Sequence, residues 1–373
     1  MLALGLATLA ACSTAPPSRP DAWGAPQALV APSSFTGVHG LAVDRQGRLL
    51  AGSVVGNAIW QVDRATGAAR VLVGGPEGQA DDIAIGPNGE MAWTNYLMGM
   101  VRVRDSDNGP ARVVAKDLPG LNSLDFDRRN GKLYATQVFL GDALWELDPK
   151  GVAAPRLIGK DFGGLNGFEV GPDGMIYGPL WFKNSVVQVN PANGQVKVLN
   201  NSFKTPAAAN LDGKGNVYVI DTATGELASV SIATGARRNV ARLKTALDNL
   251  AVAPDGTVYV SNMADNAIVA VNPADGSSRT LTAGALAVPA GMKVDGDTIF
   301  VADIFAFRRV DTRSGAVTDI KRMHGQGVDM EYPFAVGLSA DRIVLSSWFT
   351  GWVQVIDRAT MTTRASLHGF KAP

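Results

Sequence analysis

A short turn signature recurs along this chain and constrains its fold more than any other feature. In its fullest form an apolar residue is followed by Asp or Asn, two or three variable residues and Gly. Examples are VDRATG ending at Gly67, RDSDNG at Gly109, LDPKG at Gly151 and VNPANG at Gly194. The series continues as SIATG at Gly235, VNPADG at Gly276, VDTRSG at Gly315 and IDRATM at Met361, with spacings of 42, 42, 43, 41, 41, 39 and 46 residues. About half a repeat earlier stands a second turn family: DRQGR, GPNGE, RRNGK, GPDGM, GKGN, APDGT, DGD and SADR. Asn or Asp beside Gly is hairpin chemistry, because Gly takes positive φ without steric strain. Short alternating runs separate the turns: GLAVD, RLLAGS, AIWQVD and ARVLV in the first copy, NLAVA, TVYVSN, AIVAVN and SRTLT in the sixth. Four strands per copy of about 42 residues is the unit of a β-propeller blade. The expected fold is all-β, a propeller of four-stranded blades with eight repeats, or seven if the weakest copy is merged. Gln27 to Val30 is expected to add an outer strand that closes the ring against the last blade.

The N-terminus reads differently. Leu2 to Leu9 are apolar, and Leu9-Ala10-Ala11 precede Cys12, the single cysteine of the chain. Small residues before a cut site mark an exported segment, and this one resembles the lipobox of bacterial lipoproteins. The resemblance implies a signal peptide over 1–11, acylation of Cys12, and a protein held in the envelope, at the outer membrane facing the periplasm. Residues 12–26, rich in Ala, Pro and Ser, then form a flexible tether, and 27–373 form the propeller. With one cysteine there is no internal disulfide. Lys+Arg and Asp+Glu balance at 34 each, so the basic surplus that nucleic acid demands is missing. The expected attachment to a membrane is through the N-terminal lipid only, and a self-sufficient propeller is expected to be monomeric.

Blade connectivity selects the face for a site. Both turn families lie on one face, so a site belongs on the other, among the innermost-strand entries and the loops between second and third strands. The entries read His39-Gly40, Asp81-Asp82, Asn122-Ser123, Asn166-Gly167, Ala207-Ala208, Asp248-Asn249, Ala290-Gly291 and Pro333-Phe334. A purely structural turn would repeat in every copy, whereas only five of the eight entries are polar, which biases the site toward copies two to four and six. Asp and Asn oxygens are hard ligands, suited to Ca²⁺ and poor for Zn²⁺. Asp81 or Asp82 and Asp248, with Asn122, Asn166 and Asn249, could therefore supply a calcium shell; the competing reading is that they cap their own backbone turns. His39 is the candidate base. The second-to-third loops are apolar for exposed segments and bring Tyr96, Phe139, Trp181, Phe182, Met263, Phe305, Trp348 and Phe349 to the same rim. A polar centre with an aromatic rim suits a small-molecule substrate with an apolar body and a polar end.

Several stretches resemble known propellers. Asp81-Asp82-Ile83-Ala84-Ile85-Gly86-Pro87-Asn88-Gly89 and Asp248-Asn249-Leu250-Ala251-Val252 are similar to the acidic entries of paraoxonases. Gly164 to Val170, reading GLNGFEV before GPDG, resembles a strand entry of that family and of the senescence marker protein/gluconolactonase family. The repeats also resemble NHL repeats and streptogramin lyases. The resemblance implies a divalent ion such as Ca²⁺ polarising a lactone or ester carbonyl, with Asp81, Asn122, Asn166, Asp248 and Asn249 as ligands. It thus implies a metal-dependent hydrolase; a lyase and a non-catalytic, envelope-tethered binding propeller are the alternatives. The resembling families have six blades, and their Glu-Gly-Pro entry is replaced here by Val38-His39-Gly40-Leu41. No GxSxG elbow or HExxH motif occurs, which disfavours triad and zinc-protease chemistry.

Overall fold

The computed structural model describes residues 27–324, 330–347 and 350–368. The expected signal peptide and tether, with Cys12, lie outside the described residues, as do Trp348 and Phe349. The fold is an all-β propeller of eight four-stranded antiparallel sheets, each built from one contiguous stretch of chain with its strands in sequence order. The two turn families join first to second and third to fourth strands, as their Gly and Asp chemistry dictates. Asp63 shows why: its carboxylate accepts the N–H groups of Ala65 and Thr66 and so closes the turn that ends at Gly67. No helix among the described residues is long and apolar enough to cross a membrane.

The packing between sheets shows where the ring closes. The inner strands of the first six sheets are Leu41–Val43, Ala80–Ile85, Leu121–Phe126, Glu169–Val170, Pro206–Leu211 and Leu247–Val252. Each packs beside the next, and the sixth packs beside the first. Six apolar cores fill the six interfaces. Leu50, Ile59 and Trp93 join sheets one and two; Leu49, Val62, Tyr259 and Ile268 join sheets six and one. Outer turns repeat the message. A Cβ on Gly235 or Gly276 would strike the carbonyl of Leu199 or Val240 in the preceding sheet, and one on Gly67 would strike Leu281 of sheet six. Gly67 also has φ +76°, a conformation that favours glycine.

Sheets seven and eight have their own core, which includes Phe300, Phe307, Leu345 and Trp352. That core extends onto Ala246, Met263 and Ala264, in the mouth-face loops of sheet six. The reason lies in the inner strand of sheet seven, Met292–Asp295, whose four residues are all exposed, whereas Leu121–Phe126 is buried throughout. A strand reading Met-Lys-Val-Asp cannot wall a packed channel. Residues 27–30 form no strand; the Leu29 carbonyl instead lies against Gly315 of sheet seven, where a preceding outer strand would otherwise pack.

Two arginines fasten sheet seven to sheet six. Arg308 donates through Nε to Asp303 (2.8 Å), and its other nitrogens reach Asp319 and the Ala264 carbonyl. Arg322 pairs with Asp265 (2.7 Å) and Asp319 (2.8 Å) and donates to the Thr245 carbonyl and Asn262 Oδ1, both at 3.1 Å. The chain enters along the same side: Asn266 of sheet six accepts the Gly37 N–H (2.6 Å) and donates to the Phe35 carbonyl (3.0 Å).

Candidate functional site

Close approach of the first two entries builds the site. A Cβ on Gly40 would stand 2.7 Å from the Asp82 Cα, so only glycine lets the two strands meet here. That contact sets His39 beside Asp81, and ring closure brings Asp248 to its other side. His39 Nδ1 lies 3.4 Å from Asp81 Oδ1 and 3.2 Å from Asp248 Oδ2. All three side chains are largely buried, and Nδ1 makes no well-aligned hydrogen bond to either neighbour. Burial works to lower the His39 pKa, but the carboxylate of Asp248, and then that of Asp81, outweigh it and raise it. Burial pushes Asp81 up to about 7, against the pull of His39 and with the repulsion of Asp248. Proton and carboxylate are thus shared within one small cluster.

One residue further along each entry the side chains serve the chain itself. Asp82 Oδ1 accepts the Ile83 N–H (2.9 Å) and Asn249 Nδ2 (3.1 Å), and its Oδ2 accepts the Leu124 N–H (3.2 Å). Burial holds its carboxyl well above the ordinary range. Asn249 Oδ1 accepts the Leu250 N–H (2.7 Å) and Asn166 Oδ1 the Gly167 N–H (3.0 Å). Ser123 Oγ stands 2.8 Å from Asn122 Oδ1 and 3.2 Å from Asn166 Oδ1. The opposite end of the channel opens into a cavity of about 1180 Å³ lined by all six inner strands. There Asp125 and Glu169 accept the N–H groups of Val170 (2.8 Å) and Leu211 (2.7 Å), as Asp82 does for Leu124. These carboxylates satisfy inner strands that have no neighbour across the channel.

The six expected ligands therefore divide. Asp82, Asn166 and Asn249 are committed to backbone groups, while Asp81 and Asp248 turn their oxygens to His39, and Asn122 Oδ1 meets the Ser123 hydroxyl. Among the described residues no group of three or more His, Cys, Asp or Glu stands ready as a cation site. The Nδ1 stands 3.2 and 3.4 Å from the two carboxylates, a gap that a proton fills; Ca²⁺, which needs about 2.3–2.6 Å to each oxygen, would reach Asp81 and Asp248 only with the imidazole turned aside.

The rim divides as well. Tyr96 is buried near Asp81, which with desolvation raises its pKa. Phe305 meets the His39 ring edge-on at 5.6 Å. Met263 is a core residue beneath sheet seven rather than a chamber wall. Phe139 packs edge-on against Trp181 (5.2 Å) and Phe182 (5.6 Å). Sequence reasoning missed what sheets seven and eight contribute. Tyr332 packs on Phe305 (6.2 Å), and burial, then the charges of Asp248 and Asp81, raise its pKa. His324 meets Trp181 at 5.2 Å, and burial lowers it to about 4. Only their place in the segment joining the last two sheets puts them over the mouth, and no local motif announces that.

No family model and no curated protein matches the chain. Among solved structures, a gluconolactonase candidate aligns at 15% identity over 68% of this chain and 91% of its own, with a TM-score of 0.52. The calcium-binding protein regucalcin from Agrobacterium tumefaciens gives 15% identity over 68% and 92% at a TM-score of 0.49. Streptogramin B lyase gives 12% over 85% and 92% at 0.39. At such identities the first of these supports the β-propeller fold alone.

Proposed function

We propose that the protein hydrolyses a small lactone or ester with an apolar body at the His39–Asp81–Asp248 cluster. One observation carries this reading: a buried imidazole held 3.2 and 3.4 Å from two carboxylates, beneath aromatic side chains. A general acid and a general base with pKa values near neutrality are the tools of acyl hydrolysis. The carboxylates that raise its pKa favour the protonated imidazole, so His39 takes the role of the acid, giving its proton to the departing alkoxide oxygen. Asp81, near 7, accepts a proton from the water that adds to the carbonyl carbon. The C–O bond to the alkoxide breaks, leaving acid and alcohol. With a divalent ion such as Ca²⁺ bound, Asp81 and Asp248 would instead be its ligands, with Asn122 in support, the ion would supply Lewis-acid polarisation of the carbonyl, and His39 would serve as the base. Phe305, Tyr96 and Tyr332 exclude water from the apolar body of the substrate. Acylation at Cys12, residence in the envelope and a monomeric state belong to the same proposal.

The test combines a calorimetric Ca²⁺ titration of the protein and its Asp81→Ala variant with a panel of γ-lactones and aryl esters. The expected outcome is micromolar Ca²⁺ binding lost in Asp81→Ala, and turnover that falls roughly 100-fold or more in His39→Asn. Hydrolysis at an unchanged rate in His39→Asn would sink the assignment.

A further inference from the structure

The propeller carries an apolar surface that its hydrolase reading does not use. Leu97 and Met98 in sheet two, Phe139 and Leu140 in sheet three, and Phe182 in sheet four occupy the mouth-face loops of three consecutive sheets. They are 43–59% exposed. Other exposed large apolar residues of the ring sheets, such as Val71, Val113, Leu157 and Val198, lie singly on outermost strands, as on any soluble surface. The loop cluster is different in kind. It contains the two exposed phenylalanines found among the described residues, Phe139 and Phe182, which pack against each other.

We infer that this loop cluster is a bilayer-docking surface, which inserts Leu97, Met98, Phe139, Leu140 and Phe182 into the interfacial region of a lipid membrane. Three observations favour lipid over another occupant. First, the apolar side chains are long or aromatic, stand at loop positions, and offer no unpaired strand edge for a peptide to extend. Secondly, Lys116-Asp117 and Lys160-Asp161 end the outer strands beside these loops and Lys183 follows Phe182, all of them exposed. The charges nearly cancel, so attraction must come from apolar burial, and the lysine stems can lie along the apolar surface with their ammonium groups among the headgroups. Thirdly, the chain reaches the ring along this same face, where Phe35 and Gly37 are held by Asn266. Fourteen residues, 13–26, separate the described structure from Cys12. A chain of that length spans at most about 50 Å. A lipid on Cys12 and the loop cluster would then meet one membrane together. The inference stands on the surface and does not require the hydrolase reading.

The test is flotation with phosphatidylcholine vesicles, using residues 12–373 carrying Cys12→Ser so that neither an acyl chain nor the apolar leader contributes. A second protein adds Phe139→Ser and Phe182→Ser; both side chains are exposed, and an unchanged Tm confirms folding. The expected result is vesicle binding by the parent that drops roughly tenfold or more in the double substitution. It should be insensitive to 0.5 M salt, since it is not electrostatic. Equal binding by both proteins would overturn the inference, and so would a parent that stays off the vesicles. Concentration-dependent dimerisation lost in the double substitution, without vesicle binding, would assign the surface to a second copy and overturn it too.

Discussion

Replacing Arg308 with Met probes how firmly the last two sheets are held over the mouth. The Arg308 side chain is 4% exposed, and its main partner, Asp303, is wholly buried. Methionine fills much of the same volume but leaves Asp303 without its counter-charge. The carboxylate keeps the N–H groups of Ala287 (2.9 Å) and Val288 (2.6 Å). Breaking a buried pair by removing one partner costs about 3–5 kcal/mol, and the two surviving hydrogen bonds place this case near the lower end, at about 3 kcal/mol. Burial already raises the Asp303 pKa against the pull of Arg308, so loss of the arginine raises it further. A carboxyl with a raised folded pKa destabilises the fold as pH rises through that range, so the deficit should shrink as pH falls from 7 to 5. The assay is urea unfolding followed by tryptophan fluorescence. Sheets seven and eight have a core of their own, so the variant should show an early transition with about a quarter of the total m-value. Adding Asp303→Asn should restore most of the loss, because the amide is neutral and keeps an acceptor for Ala287 and Val288. A cost below about 1 kcal/mol at pH 7, or no recovery in the double variant, would refute the reasoning.

Burial, reinforced by Glu169, raises Asp125 to about 7. Between pH 5 and 6.5 the folded protein therefore holds a proton that the unfolded chain has released, and stability falls with rising pH. Asp125→Asn should flatten the slope of unfolding free energy by up to about 1.4 kcal/mol per pH unit; parallel slopes for both proteins would contradict this. At the seam between sheets six and one, Gly67→Ala should cost roughly 2–4 kcal/mol in urea unfolding, from its left-handed backbone and the Leu281 carbonyl. Gly256→Ala, with φ +85° and open space around it, should cost only about 1–2 kcal/mol, so equal losses would argue against the seam.

The repeats were legible because each turn depends on local chemistry: Asp63 binding its own turn, Gly67 taking a positive φ. Which sheet meets which is not local. Sheets seven and eight use the same hairpin turns as the other six, and only the polar inner strand Met292–Asp295 hints that they stand outside the ring. The pairing of His39 with Asp81 and Asp248 was half visible, since all three occupy strand entries. What alternation along a strand leaves unresolved is which member of Asp81-Asp82 or Asp248-Asn249 faces the chamber. A register shift between Ala80 and Ile83, and another between Leu247 and Leu250, decide that. Tyr332 and His324 were invisible because most of their neighbours in the site, Asp81, Trp181 and Asp248, come from sheets two, four and six, far away in sequence.

The order of the sheets along the chain has a consequence for how the molecule is made. The ring is complete in sequence by Thr282, and the covering sheets are encoded afterwards, between Met292 and Leu367. At translation speeds of about 5–20 residues per second, the 85 residues that follow Thr282 up to Leu367, the end of the last covering strand, take roughly 4–17 s to be made. During that interval the growing chain can close its six-sheet ring with the His39–Asp81–Asp248 gap still open to solvent. Water and small solutes can reach that gap freely before Phe305 and Tyr332 exist to cover it. Afterwards, access along the same route requires the arginine-fastened cover to lift.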